Sequence, residues 1–507
     1  TGSTGTGKSN AVYHLLDEIT KNGQTTFLVV EPAKGEYKNV FGNCTDVQVF
    51  GTNPRETPLL RMNPFAFPEN IHILEHIDRL VEIFNACWPM YAAMPAVLKD
   101  AIERSYQKVG WDLRNSESEK GVFPTFFDLL DILPGVIEES HYSKDTQSDY
   151  VGALCTRVKS LTNGIYGSVL CAEDALTDEA LFDRNVIVDL SRVGSMETKS
   201  LLMGILVMKL QEYRMCSSGM NSRLRHVTVL EEAHNLLRKT SAEQSQEGAN
   251  LQGKSVEMLA NAIAEMRTYG EGFIIADQAP GLLDMSVIRN TNTKIILRLP
   301  DEEDRKLVGK SAALKEAQID ELSKLPLGVA AVYQNEWPEA VLCKIEAYPM
   351  PENAVYHKPS KMPHEINAEF VFGQLAVGKE LEPLSSSEME QLKLWLKRHE
   401  TVLKPEDSRY LERVFAGGEL DAAKTRKAVF DFFGGTGTVV DYCAAAKKSL
   451  TPRKEFLEQL QGQYGLKAAA ADWVLNIVIS MGMSLNPDAK AVDNLRTNFE
   501  RQGGRVL

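Results

Sequence analysis

The sequence has no paired cysteines, no apolar run of membrane length and no surplus of positive charge, and each absence removes a class of function. Its seven cysteines, Cys44, Cys87, Cys155, Cys171, Cys216, Cys343 and Cys443, are odd in number and scattered. None forms a C-x-x-C pair or stands near a histidine at zinc-finger spacing, so a disulfide scaffold and a zinc ribbon are not expected. Reduced thiols in a cytoplasmic protein are. The most apolar stretch, Leu201–Val207, is cut off by Lys209, far short of the ~18 residues of a membrane span, and no membrane partner is expected. Lys and Arg number 56 against 69 Asp and Glu, a net charge of −13. All of that charge lies in residues 1–350, with 35 cations against 48 anions, while residues 351–507 balance at 21 each. Contact with nucleic acid must therefore come from a local basic patch or a lined channel. Internal repeats and low-complexity tracts are also missing. The chain opens at Thr1 without a Met, directly on a glycine loop, so a segment upstream of it is expected.

What remains is an ordinary packing composition over 507 residues, 43% hydrophobic and 25% charged, enough for two or three domains. Short β-branched runs alternate with helical stretches in the first part, the pattern of an α/β fold with a mainly parallel sheet covered on both faces. The expected strands are 26–31, 47–50, 185–190, 226–231, 272–276, 293–297 and 328–333. A helical insertion is expected at about 71–164, holding Trp88, Trp111 and alternating Leu/Ile positions at helical spacing. The prolines at 349, 351, 359 and 363 suggest a linker over 351–365, after which the pattern is all-helical over 366–507. Six helices are expected there, over 387–399, 407–415, 421–433, 452–461, 466–481 and 489–501. Gly434-Gly435-Thr436-Gly437-Thr438 lacks the Lys of a second nucleotide loop and is expected to break a helix.

Three stretches carry chemistry. Gly2-Ser3-Thr4-Gly5-Thr6-Gly7-Lys8-Ser9 fits G-x-x-x-x-G-K-[ST], where glycines turn backbone N–H groups toward phosphate oxygens and a helix N-terminus follows. Gly2, Thr4, Gly5, Thr6, Gly7, Lys8, Ser9 and Asn10 are expected to bind ATP, with Lys8 on the β- and γ-phosphates and Ser9 on Mg²⁺. The run His226–Glu231 reads as a buried strand ending in adjacent carboxylates, Glu231 and Glu232. Side chains alternate along a strand, so Glu231 is expected to serve Mg²⁺ and Glu232 to act as general base on the attacking water. A solvated helix start is the competing explanation. Gln278 ends a third buried strand and is a candidate sensor of the γ-phosphate or the lytic water, or else a plain turn residue before Pro280.

The order of these pieces resembles the HerA-like branch of the HerA/FtsK superfamily over about residues 1–345. Further signatures are Glu31-Pro32-Ala33-Lys34-Gly35-Glu36-Tyr37, Glu231-Glu232-Ala233-His234-Asn235, Met266-Arg267-Thr268-Tyr269-Gly270, and Asn290-Thr291-Asn292-Thr293-Lys294 with Arg298 and Asp304 beyond. Two departures stand out: Glu231 replaces the usual Asp, and Arg267-Thr268 replaces an Arg-Lys pair. The resemblance implies a RecA-like P-loop ATPase that forms a homohexamer and threads double-stranded DNA, with ATP at subunit interfaces. It also implies a separate nuclease or other effector, in DNA processing or anti-phage defence, and a small β-barrel ahead of the phosphate loop. By the same resemblance Arg267 is the candidate trans arginine and Arg298 its reserve. A helix-end cation paired with Glu265 or Glu271 is the other explanation of Arg267. Arg238, Lys239 and Lys254, flanking the polar loop after Glu232, are candidate DNA contacts. A ring that only organises an effector, with little or no translocation, is the alternative function.

Overall fold

The computed structural model describes residues 1–21, 25–91, 93–118, 121–172, 175–240, 251–350 and 354–358, and in the C-terminal part 366–377, 381, 383–384, 386–399, 402–449, 451–464, 466–486 and 488–506. The chain divides into two compact units, 1–358 and 359–507.

In the first unit, β1 (Thr26–Glu31), β2 (Val47–Gly51), β5 (Asn185–Asp189), β6 (His226–Glu231) and β7 (Glu271–Ala276) form a parallel sheet in the order β2-β5-β1-β6-β7. Alternation along β1 sorts its side chains onto two cores. Phe27 and Val29 join Val12, Tyr13, Leu16, Tyr37 and Phe41 under helix α1 (Lys8–Thr20). Leu28 and Val30 face the opposite core, beside the helix Met196–Ser217 and the insertion. Burial on both faces is why these strands read as continuous apolar runs.

The insertion is helical over Ile73–Cys87, Met94–Lys108, Phe126–Glu139 and several shorter pieces, and adds one hairpin, β3 (Trp111–Asp112) with β4 (Glu117–Ser118). Among the described residues it has no core separate from that of the sheet. Ile77, Phe84, Trp88, Leu98 and Phe126 share the cluster that contains Val186, Val188 and Leu206. Helices Ile73–Cys87 and Met196–Ser217 approach so closely at Gly204 that a Cβ there would stand 2.8 Å from Ile83 Cγ2.

All seven expected strands form, but the last two leave the parallel sheet. β8 (Thr293–Ile296) and β9 (Val329–Gln334) pair antiparallel with an unforeseen β10 (Val341–Lys344). Val341 and Leu342 are exposed, so β10 lacks the buried alternation that reveals a strand in sequence. Thr1–Ser3 passes between the two sheets: Leu297 N donates to Thr1 O at 2.9 Å, Ser3 N to Arg298 O at 3.0 Å, and Thr1 Oγ1 to Asp277 O at 2.8 Å.

The second unit is a helical bundle whose described helices include Ala368–Val377, Pro405–Phe415, Ala422–Phe432, Gly435–Ala446, Ala468–Leu485 and Ala489–Arg501. Gly434 breaks the chain at φ 83° as expected, but a helix follows at once that its Gly and Thr residues do not advertise. Ala468–Leu485 corrects the sequence reading of apolar runs. With a mean hydropathy of 1.5 over 18 residues it is long and apolar enough to cross a membrane, and Asp472 and Asn476 hide it from a search for unbroken runs. Its Val474, Ile477, Val478 and Ile479 fill the core of the bundle with Phe372, Phe415 and Val429.

Candidate active site

The glycine loop takes the shape its residues dictate. Gly5 at φ 75° and Gly7 at φ 101° adopt the left-handed backbone that other residues resist, and Gly7 caps α1. Thr6 is buried and folds the loop by donating from Oγ1 to Ser3 O at 2.7 Å. Lys8 Nζ bridges the loop to Gly2 O at 2.8 Å. Partial burial lowers the Lys8 pKa below the ordinary lysine value, against the pull of Glu232 and Glu231. Gly2 cannot be larger, since a Cβ would lie 2.7 Å from Leu297 Cβ. Asn10, expected to bind nucleotide, spends its amide elsewhere: Nδ2 donates to Glu346 O at 2.9 Å and Oδ1 accepts from Tyr348 N at 2.7 Å. Any nucleotide contact by Asn10 belongs to its backbone.

The Glu31–Tyr37 signature has a structural explanation. The Glu31 carboxylate at the end of β1 accepts from Glu36 N at 2.7 Å and Tyr37 N at 3.1 Å, which curls the segment back over the sheet. Gly35 at φ 69° makes the turn. Tyr37, buried by that turn, donates its hydroxyl to Glu231 Oε1 at 2.5 Å. Burial pushes the Glu31 carboxyl up to about 8 despite its two backbone donors. Burial also raises Glu231, opposed by the Tyr37 bond and by Lys8. Lys34, exposed in the same segment, lines the pocket with Lys8, Ser9, Glu231, Glu232 and Gln278.

Strand alternation does not relate Glu231 to Glu232, because the strand stops between them. β6 ends at Glu231, and Glu232 adopts φ 45°, ψ 52°, a left-handed conformation rare for a residue with a side chain. A 3-10 turn, Ala233–Asn235, follows instead of a solvated α-helix. Glu232 Oε2 is buried without a hydrogen-bond partner among the described residues. Burial, then Asp277, raises the Glu232 carboxyl above its usual range. Across the pocket, Thr4 Oγ1 donates to Gln278 Oε1 at 2.7 Å, tying the third stretch to the phosphate loop.

The arginines lie apart from this cluster. Arg267 sits in the turn Met266–Tyr269 that enters β7, whose first residue Glu271 pairs with His226 at the start of β6. From His226 to Glu231 the strand rises about 17 Å at ~3.3 Å per residue, beyond the reach of an arginine side chain. Arg267 is exposed and, among the described residues, makes no ion pair with Glu265 or Glu271. The Glu271 carboxylate is buried and taken by Arg214 Nε at 2.9 Å and His226 Nδ1 at 2.8 Å. Arg298 presents its carbonyl to the phosphate loop and exposes its side chain. Arg238 and Lys239 are exposed just past the Glu232 turn, and Lys254 is exposed on the helix Leu251–Glu265. Residues 241–250 of the loop between them lie outside the described residues.

A glycine loop capping a helix, two carboxylates at the end of the neighbouring strand and a glutamine at the next strand's end give the pattern of a RecA-like P-loop fold. Residues 1–210 match the family model for the central domain of helicase HerA. Over that stretch the chain is similar to the HerA family. A probable helicase of Methanocaldococcus jannaschii is 22% identical over 374 residues, covering 68% of this chain and 65% of its own length. The DNA double-strand break repair helicase HerA of Sulfolobus acidocaldarius is 26% identical over 361 residues, covering 68% and 64%. The chain thus spans just under two thirds of the length of either relative. Among solved structures, VirB4 of Thermoanaerobacter pseudethanolicus shares the fold at a TM-score of 0.52 and 19% identity, over 69% of this chain and 88% of that one. The plasmid coupling protein TrwB with an ATP analogue does so at 0.50 and 14%, over 71% and 87%.

The sequence reading missed the roles of Glu31, Tyr37, His234 and Asp277. Each was visible within or beside a signature, but none has a chemical task until the fold brings it to its partner.

Proposed function

We propose that this chain hydrolyses ATP with Mg²⁺, assembles as a homohexamer and couples turnover to movement along double-stranded DNA in the cytoplasm. A separate nuclease or other effector subunit would use that movement in DNA processing or anti-phage defence. The observation that carries the reading is the convergence of Lys8, Ser9, Glu231, Glu232 and Gln278 on one pocket.

The chemistry follows from their placement. Lys8 and the loop N–H groups neutralise the β- and γ-phosphates. Ser9 in the first turn of α1 and Glu231 at the end of β6 are hard oxygen donors on the same pocket, a set that suits Mg²⁺. Bound there, the ion would offset charge developing on the phosphate oxygens. Glu232, with Oε2 unclaimed, takes a proton from water, and Gln278, held by Thr4, reads the γ-phosphate end. An arginine that cannot reach its own subunit's site is suited to a neighbour's, which is what Arg267 would supply in a ring.

DNA contact is assigned to Arg238, Lys239 and Lys254. Replacing all three with Ala should reduce DNA stimulation of ATPase and flatten the salt dependence of DNA affinity by about 2–3 in log–log slope, near 0.9 for each phosphate that is no longer neutralised. Fluorescence anisotropy across a salt series measures this, and an unchanged slope would remove these residues from the DNA path.

A further inference from the structure

We propose that His234, locked by Asp277, is the positioning residue that aims the Glu232 carboxylate at the attacking water. The proposal rests on the reading of Glu232 as general base.

The starting observation is strain. A left-handed non-glycine residue is strained and persists only where its surroundings fix it. Two groups fix Glu232. Asn235 donates to the Glu232 carbonyl from its backbone N at 2.9 Å and from Nδ2 at 2.7 Å. One residue earlier, His234 N donates to Asp277 Oδ2 at 2.8 Å. Asp277 is an immobile anchor, buried at 1% exposure, with Oδ1 held by Ala279 N at 2.9 Å. The turn after β6 is thereby pinned to the turn after β7 that carries Gln278.

The His234 side chain repeats the anchor and then does something an anchor does not require. Nδ1 lies 2.9 Å from Asp277 Oδ2, so Nδ1 carries the proton and donates it. The same nitrogen stands 3.6 Å from Glu232 Oε2, too far for a hydrogen bond but close enough to fix where that oxygen rests. Glu232 Oε2 is left buried and unpartnered among the described residues. A carboxylate bonded fully to the imidazole would be a poor base, and one with no neighbour would wander. Held at this separation, Oε2 stays free to accept the water proton. The water oxygen bonds to the γ-phosphorus, the bond from that phosphorus to the β–γ bridging oxygen breaks, and ADP leaves with the electron pair.

The test compares ATP turnover and fluorescent-nucleotide affinity for the wild type, His234→Ala, His234→Asn, Glu232→Gln and the double variant His234→Ala/Glu232→Gln. His234→Ala should lower kcat about 10- to 100-fold, the range for partners that orient a reacting group, with KM within about twofold. His234→Asn places an amide N–H near the Nδ1 position and should recover most of kcat. In the Glu232→Gln background, removing His234 should cost nothing more. Wild-type kcat in His234→Ala beside an inactive Glu232→Gln overturns the positioning role alone. Equal losses of affinity and melting temperature in both His234 variants overturn it in favour of a structural role. Full turnover in Glu232→Gln overturns the general-base reading itself, a separate result.

Discussion

Replacing Glu232 with Gln should lower ATP turnover about 10²- to 10⁴-fold, the contribution of a positioned general base, while nucleotide affinity holds. The substitution keeps shape and removes only the ability to accept a proton. Affinity is preserved because the loop that holds the phosphates, from Gly2 to Ser9, makes none of its own hydrogen bonds to Glu232. Folding should not suffer either. Burial and Asp277 raise the Glu232 pKa, so ionising this carboxyl costs more in the folded protein than in water, a cost that a neutral amide does not carry. Turnover, nucleotide titration and thermal melting on one preparation check all three statements. A large loss of affinity or of melting temperature would mean that Glu232 is structural.

The second large effect is expected at Arg267. Its replacement with Ala should reduce turnover about 10³- to 10⁵-fold, as loss of an arginine finger does, although the residue lies near the opposite end of β6 from Glu231 in its own chain. The distance makes the mechanism testable by mixing. Arg267→Ala and Glu232→Gln should each be nearly inactive, but a mixed ring would contain interfaces where an intact Glu232 faces an intact Arg267. Such mixtures should regain a measurable fraction of wild-type turnover. If the mixture stays inactive while Arg298→Ala with Glu232→Gln recovers activity, the finger is Arg298.

Much of this was legible in the sequence because continuous apolar strands and a glycine loop are local signals. β1, β6 and β7 follow from their β-branched runs, and Lys8, Glu231, Glu232 and Gln278 stand where those runs end or the loop closes. Features that depend on distant partners were not legible. The left-handed turn at Glu232 is held by Asp277, 45 residues away in sequence order, and the Glu231 carboxylate accepts from the Tyr37 hydroxyl, 194 residues away. β10 is exposed and pairs only because β9 precedes it, and helix Gly435–Ala446 forms against its propensity because Tyr442 is buried in the bundle. Strand alternation, expected to separate the two glutamates, does not apply to them, since the strand stops between them.

The central claim is that ATP hydrolysis in this pocket is coupled to duplex DNA. Its most direct test is steady-state ATP turnover by the full-length protein with and without long linear duplex DNA, beside Glu232→Gln. Strong stimulation by DNA that is absent from Glu232→Gln is the predicted result. Slow turnover indifferent to DNA would contradict the account and leave a nucleotide-gated ring that organises an effector enzyme.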